Sequence, residues 1–555
     1  MTDYEFILIG QSEVVDYEAF SRFPIDRLEV YRELVFPRMV HYRGRFLSHI
    51  DLINQFAHGK SYAEADPTSR RHMLNIWNLP GMSGIHLSNW LNHNGIKTLL
   101  INNFDSEFDL LADAYRACTG PKPLIGISGT FYTSYKPVRR ITKFLQTLDP
   151  DVKVVLGGAF TNATATNHGP QSFEEPMKKH GIDYVLHAFN SEQDLLDLIR
   201  HHRLGSFEEV LNLAYFDTSS DLHLTTECWR DPMLDNTPLG WDRLAMPFVN
   251  RTLQTRTVSG CPFSCAFCSY PTSSRGLHTM EIERFEGHLK SLLKVPSISR
   301  IVFIDDTFNV PAERFKALLR MFMKYDFSWY SFLRCQFIDE ETTQMMVDSG
   351  CQGVYLGVES ASDLVLSNMN KHATRAEFVR GAQLLSKYGI EKMVAFVLGF
   401  PGETRATLDE NVRFLDEVSA EYYTLKEFYY MKNTGVHKDR HKYGLEGMGS
   451  EWRHDTMDYQ TASRHKLRLF SEIEASVFID PDISLWHMVY MADQGFSKEE
   501  VHALQVATNA ITKQQLRGVF EDDAPQYATI RKVVAAWRGR ESTSPAWSAM
   551  RTLQS

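Results

Sequence analysis

Between residues 98 and 202 short apolar runs alternate with amphipathic stretches. The runs at 98–101, 124–127, 153–156 and 183–186 are four residues each, rich in Val, Ile and Leu, and flanked by polar or glycine positions. Such runs predict buried parallel strands. The amphipathic stretches between them, such as 137–148, predict the covering helices. Strands alternating with helices predict a doubly wound sheet, whose ligands sit at the C-terminal strand ends. Those ends carry Asn102-Asn103, Ser128-Gly129-Thr130-Phe131 and Gly157-Gly158. The glycines either let a backbone approach a large ligand or are plain strand-to-loop turns.

A second alternation runs from 253 to about 432. Strands are expected at 253–259, 300–305, 329–335, 353–358, 393–398 and 422–428, with helices at 281–293 and 311–325. Thr374 and Glu377 form a capping box, and Gly389 closes that helix. Six βα units suit a partial parallel barrel with its site at the C-terminal strand ends. Residues 1–95 are mixed, with a strand-like run at 6–10. Residues 203–250 are broken by Pro232, Pro238, Gly240 and Pro247 and predict a connector. The tail from 433 predicts helices, one opened by Ser497 and Glu500, with a loose end from 545. The fold class is therefore α/β, with expected domains 1–95, 96–205, 206–250, 251–432 and 433–555.

Composition narrows the class. Of 555 residues 43% are hydrophobic and 23% charged, an ordinary globular mix. The formal net charge of −10 gives no global reason to bind nucleic acid or an anionic membrane. The acidic start, Met1 to Glu5, lacks the basic-then-apolar order of a leader. No apolar run approaches the ~20 residues of a spanning helix. A cytoplasmic protein is expected.

Chemistry enters with the cysteines. There are seven, an odd number that argues against a disulfide framework. Cys261, Cys265 and Cys268 crowd into C-x3-C-x2-C after the first barrel strand; Cys118, Cys228, Cys335 and Cys351 stand apart and are expected to be inert. Three thiolates so close suit one soft metal centre. A structural zinc wants a fourth ligand, and the next His, His278, is ten residues on. Three ligands also serve a four-iron, four-sulfur cluster with one iron open.

The run Cys261-Pro262-Phe263-Ser264-Cys265-Ala266-Phe267-Cys268 resembles the motif of the radical S-adenosylmethionine (SAM) superfamily, over roughly 250–435. The resemblance assigns the three cysteines to a 4Fe-4S cluster and sets Phe267 against the adenine. Ile304-Asp305-Asp306-Thr307-Phe308 matches the segment that binds the SAM amino group. Leu356-Gly357-Val358-Glu359-Ser360 matches the ribose strand, and Gly399-Phe400-Pro401-Gly402-Glu403-Thr404 the fifth-strand motif. It implies reductive SAM cleavage to a 5′-deoxyadenosyl radical. Asp306 could instead cap the next helix, Ser360 could be a turn residue, and Arg334 could pair with the SAM carboxylate or with a structural partner.

The preceding domain resembles the cobalamin-binding domain of B12-dependent radical SAM enzymes, through 125–131, 154–158 and 183–192. Ser128, Thr130, Phe131, Gly157 and Gly158 are the implied cobalamin contacts. The Asp-x-His-x-x-Gly signature is absent, since residues 102–107 read Asn102-Asn103-Phe104-Asp105-Ser106-Glu107. Any cobalamin is then expected to lack a protein histidine on cobalt.

The family resemblance implies a methyltransferase acting on an unactivated carbon or phosphorus of a small natural-product intermediate, near the phosphinate P- and tryptophan C-methyltransferase branch. A flavodoxin or ferredoxin is the implied electron donor. The alternatives are a non-methylating cobalamin enzyme (rearrangement, cyclisation or oxidation), a methylthiotransferase and a cluster- or zinc-containing binding protein. A methylthiotransferase needs three more cysteines upstream, and only Cys118 and Cys228 are there. Trp452 and His454 are read as a lid or as tail packing, and Tyr429, Tyr430 and Lys432 as possible pocket lining.

Overall fold

The strand β1 (Phe6–Gln11) is buried along its whole length. An unbroken apolar run suits a strand covered on both faces. In the computed structural model, which describes residues 3–15, 17–70, 72–232, 234, 251–295 and 297–541, it is a central strand. It pairs in parallel with β2 (Thr98–Asn103) on one side and β3 (Leu124–Ser128) on the other, with Phe6 opposite Thr98 and Leu124. The sheet continues through β4 (Val154–Gly157) and β5 (Tyr184–Leu186), both parallel. Two antiparallel strands, β6 (Leu213–Phe216) and β7 (Leu222–Leu224), complete the edge. The order is β2-β1-β3-β4-β5-β6-β7. Its parallel part has the flavodoxin-like order, which places the ligand crevice where the winding reverses, between β1 and β3.

Two features depart from the sequence expectation. The leading strand, expected in a separate extension at 1–95, is a central strand of this sheet. The stretch expected as a connector contains β6 and β7. Pro238, Gly240, Pro247 and the loose end from 545 lie outside the described residues.

The second sheet has seven parallel strands in sequential order. They are β8 (Thr252–Thr255), β9 (Arg300–Phe303), β10 (Ser328–Leu333), β11 (Cys351–Glu359), β12 (Glu391–Leu398), β13 (Tyr422–Glu427) and the short β14 (Val477–Phe478). The six expected strands are all present; the first stops at Thr255, and Val258–Gly260 pairs elsewhere. Both expected capping boxes form, at Thr374 and Ser497. The terminal region is helical, in Ser484–Asp493, Lys498–Leu516 and Pro525–Glu541. An early hairpin docks on it: the His41 carbonyl accepts from Gln515 at 2.7 Å and from the Tyr527 hydroxyl at 3.0 Å.

The chain divides into two compact units of discontinuous segments. One comprises Met1–Val15, Trp77–Met246 and His278–Pro296; the other Asp16–Ile76, Pro247–Leu277 and Ser297–Ser555. The helix Ile282–Leu292, expected in the barrel, groups with the first unit.

Candidate active site

Six loops at the C-terminal ends of β8 to β13 build the site in the second unit. The cysteine loop follows Gly260, whose N–H donates to the Tyr270 hydroxyl at 3.1 Å. Its middle is pinned from two sides. The Ala266 N–H donates to the Met369 carbonyl at 2.7 Å, and the Val436 N–H donates to the Ala266 carbonyl at 2.8 Å. Asn370 Nδ2 reaches the Ser264 carbonyl at 3.0 Å. The loop is thus held by backbone bonds that do not depend on a bound group.

Cys265 is buried, and Cys261 and Cys268 are half-buried. Burial raises the Cys261 thiol and pushes Cys268 up to about 12. Thiols held so high need a strong local positive charge to become ligands. Arg334 Nη2 lies 3.6 Å from the Cys265 sulfur and Thr307 Oγ1 4.0 Å from that of Cys261. Among the described residues no three His, Cys, Asp or Glu side chains are grouped to share a single ion. A cluster does not require that, because each thiolate takes a different iron, whereas zinc does. Three thiols with no further Cys or His before His278 match the three-cysteine ligation of a cluster with one open iron.

Arg334 is buried, its guanidinium 3.7 Å from the centre of the Phe263 ring in the cysteine loop. Nη2 also donates to the Lys371 carbonyl at 2.8 Å, while Nη1 has no partner. Asn309 fixes its backbone, donating to the Arg334 carbonyl at 2.9 Å and accepting its N–H at 3.1 Å. No carboxylate holds the guanidinium among the described residues, so a buried cation with a free donor is left at the barrel end.

The paired aspartates have different tasks. Asp305 is buried and turned back to the first strand, accepting the N–H groups of Thr257 at 2.8 Å and Val258 at 2.5 Å. Burial raises its carboxyl to about 7. Asp306 is exposed, with the Tyr270 hydroxyl as a hydrogen-bond partner of its carboxyl. It does not cap the next helix, Ala312–Phe322, which Pro311 opens. The loop is anchored by Phe308, whose ring stacks on Phe303 at 4.5 Å.

Glu359 ends β11 with φ +67, beside an irregular register, a strained conformation of the kind found at ligand sites. Its carboxylate lies 3.2 Å from Nζ of the buried Lys371, which also sits 5.7 Å above the Phe267 ring. Ser360 is fully buried and its hydroxyl accepts the Ser362 N–H at 3.2 Å. Gly399 has φ +85, and a Cβ there would stand 2.5 Å from Trp452. Its N–H donates to Glu403, and its carbonyl is 2.9 Å from His454 Nε2. Glu403 is wholly buried, with one oxygen unpartnered and its carboxyl raised to about 8 by burial. Trp452 and His454 stack at 5.2 Å behind this turn. Their contacts are those of packing.

Sequence reasoning missed Thr307, Asn309, Lys371 and Glu403. Lys371 lies between Asn370 (φ 50) and His372 (φ 52), two left-handed residues without the glycines that would have marked the turn. Thr307 and Glu403 stood inside matched motifs without a role of their own, whereas Asn309 and Lys371 lay outside them.

In the first unit the ends of β3 and β4 carry small residues. Ser128 Oγ and Thr130 Oγ1 are 3.0 Å apart, and Phe131 is 37% exposed. Gly158 has φ +109, and a Cβ there would come within 3.1 Å of the Thr130 nitrogen; at Gly157 the nearest atoms are 3.7 Å away. Gly157 and Gly158 leave the end of β4 without side chains. Residues 102–107, the end of β2 and the first turn of the helix that follows it, include no histidine. The Asn102 N–H donates to Glu107 at 2.8 Å and Asn103 Nδ2 to Asn78 at 2.8 Å. No helix among the described residues is long and apolar enough to cross a membrane.

Residues 255–415 match the family model described as the Radical SAM superfamily. The chain is 31% identical over 169 residues to an uncharacterized methyltransferase of Pyrococcus horikoshii, covering 30% of this chain and 37% of the other. It is 26% identical over 325 residues to the anaerobic magnesium-protoporphyrin IX monomethyl ester cyclase of Rubrivivax gelatinosus, covering 55% and 56%. The chain thus spans between about a third and a little over half the length of these curated relatives. Its fold is that of the radical SAM methyltransferase TsrM from Kitasatospora setae, solved with cobalamin and a 4Fe-4S cluster. The TM-score is 0.56 at 16% identity, covering 82% of this chain and 97% of that one.

Proposed function

We propose that the chain is a cobalamin-dependent radical SAM methyltransferase acting on an unactivated carbon or phosphorus of a small natural-product intermediate. The observation that carries this is a three-cysteine loop at the end of β8, inside a radical SAM domain, in a chain that also folds a flavodoxin-ordered sheet. Cys261, Cys265 and Cys268 would hold a 4Fe-4S cluster. Phe267, Asp306, Arg334, Glu359 and the Gly399 backbone would bind SAM, with Asp305 and Ser360 shaping the loops around it. Ser128, Thr130, Phe131, Gly157 and Gly158 would meet cobalamin. When bound, the cluster supplies an electron and cobalamin a methyl group; the protein binds, orients and excludes water. Arg334 suits the SAM carboxylate because its buried Nη1 still lacks an acceptor. Electrons come from a flavodoxin or ferredoxin.

The test is anaerobic SAM cleavage under reduction, followed by product mass. We expect 5′-deoxyadenosine and a product heavier by one carbon and two hydrogens. Cys261→Ala, Cys265→Ala and Cys268→Ala should each lose bound iron and cleavage; iron retained in any one contradicts the assignment. A second reading, cyclisation without methyl transfer, is favoured by the cyclase match, which covers 55% of the chain against 30% for the methyltransferase. It predicts a product of unchanged carbon count.

A further inference from the structure

Past β13 the chain turns strongly basic. Lys432, Lys438, Arg440 and Lys442 stand within eleven residues, with His437 and His441 among them and Asp439 as the single acid of that stretch. In a chain of formal net charge −10 this local inversion is not background. Lys432, Lys438, His441 and Lys442 are exposed, and Tyr429 beside them is 50% exposed. Among the described residues Lys438, Arg440 and Lys442 have no carboxylate partner: Arg440 Nη1 donates to the His437 carbonyl at 3.0 Å, and Lys442 Nζ to the Tyr443 hydroxyl at 3.1 Å. Burial first, then Arg440, Lys432 and His441, lower the pKa of His437, as expected where like charges crowd.

This segment is seated on the cysteine loop. The bond from the Val436 N–H to the Ala266 carbonyl, 2.8 Å, joins it to the residue between Cys265 and Phe267. Tyr430 braces it from below, its hydroxyl 2.7 Å from His437 Nδ1 and its N–H on the Gly449 carbonyl at 3.0 Å. A pocket for a small anion would bury its cations. Exposed cations spread along a surface turn, with an aromatic at the edge, instead suit steering and docking of an acidic protein.

We propose that residues 429–442 are the docking surface for an acidic one-electron carrier protein, a flavodoxin being the type. The proposal rests on the radical SAM reading above. In the transfer, the carrier's anionic flavin hydroquinone loses one electron and becomes its neutral one-electron-oxidised form. The centre held by Cys261, Cys265 and Cys268 gains that electron; no bond breaks and no proton moves.

The test is the affinity of a flavodoxin for the reconstituted holoenzyme, by calorimetry at low and physiological salt, for the wild type and for Lys438→Glu/Lys442→Glu. Wild-type affinity should fall as salt rises, and the double variant should bind about tenfold more weakly or worse. Its iron content and dithionite-driven SAM cleavage should be unchanged. Equal binding by the two proteins, or no measurable binding by the wild type, overturns the proposal. So does a variant that binds flavodoxin normally but loses affinity for an anionic substrate. If charge reversal lowers iron content, Lys438→Gln/Lys442→Gln replaces it, with at least about threefold weaker binding expected. Failure of dithionite-driven cleavage in the wild type would instead count against the radical SAM reading.

Discussion

Asp305 and Asp306 are neighbours in sequence with opposite surroundings, one buried against backbone N–H groups and one open to solvent. Their presence at a strand end was legible, but which one faces outward was not, because that depends on the direction the chain leaves β9. Ser360 shows the same limit: its hydroxyl accepts an N–H from a turn two residues on, a bond with no local signature. Glu403 is the residue with the clearest measurable consequence. Burial raises its carboxyl from the ordinary 4.5 to about 8. Between those values the folded protein keeps a proton that the unfolded chain has lost, so this group's contribution to stability falls as pH rises. The slope is at most about 1.4 kcal/mol per pH unit. Glu403→Gln should therefore gain on the wild type by about 2 kcal/mol or more between pH 5 and 8 in denaturant unfolding. A difference that does not change with pH contradicts the assignment of a protonated carboxyl.

At the scale of elements, the parallel strands were legible because a strand covered on both faces is a short, unbroken apolar run. Caps were legible because Thr374 and Ser497 each precede a Glu by three residues. The place of β1 was not. Its run at 6–10 reads as a strand, but nothing local says that its partners begin at Thr98 and Leu124. The ends of β3 and β4 carry a separable prediction. Gly158→Val forces a side chain into a left-handed position crowded by the Gly129–Thr130 backbone, whereas Gly157 has room. Gly158→Val should lower cobalt retention at least about tenfold and leave iron content intact. Gly157→Ala should bind cobalt much better than Gly158→Val. Equal cobalt retention in the two variants, measured by elemental analysis after desalting, would remove these loops from the cobalamin site.

The whole molecule combines two mainly parallel sheets, and the proposed function assigns one cofactor to the C-terminal strand ends of each. Order-of-motif reasoning reached the second unit well, since the cysteine loop and three later strand ends recur on successive strands. It reached the first unit less fully, because small residues and bare backbone leave few signatures. The early segment from 16 to 76 illustrates the remainder: its docking on the terminal helices depends on His41 meeting Gln515 and Tyr527, more than four hundred residues away. Such contacts follow from tertiary packing and have no local pattern. The central claim, that one chain holds both a cluster and cobalamin, is tested most directly by iron and cobalt per chain after anaerobic reconstitution with hydroxocobalamin and desalting. The account predicts about four irons and one cobalt. Four irons without cobalt would contradict the cobalamin site and the methyl transfer that depends on it.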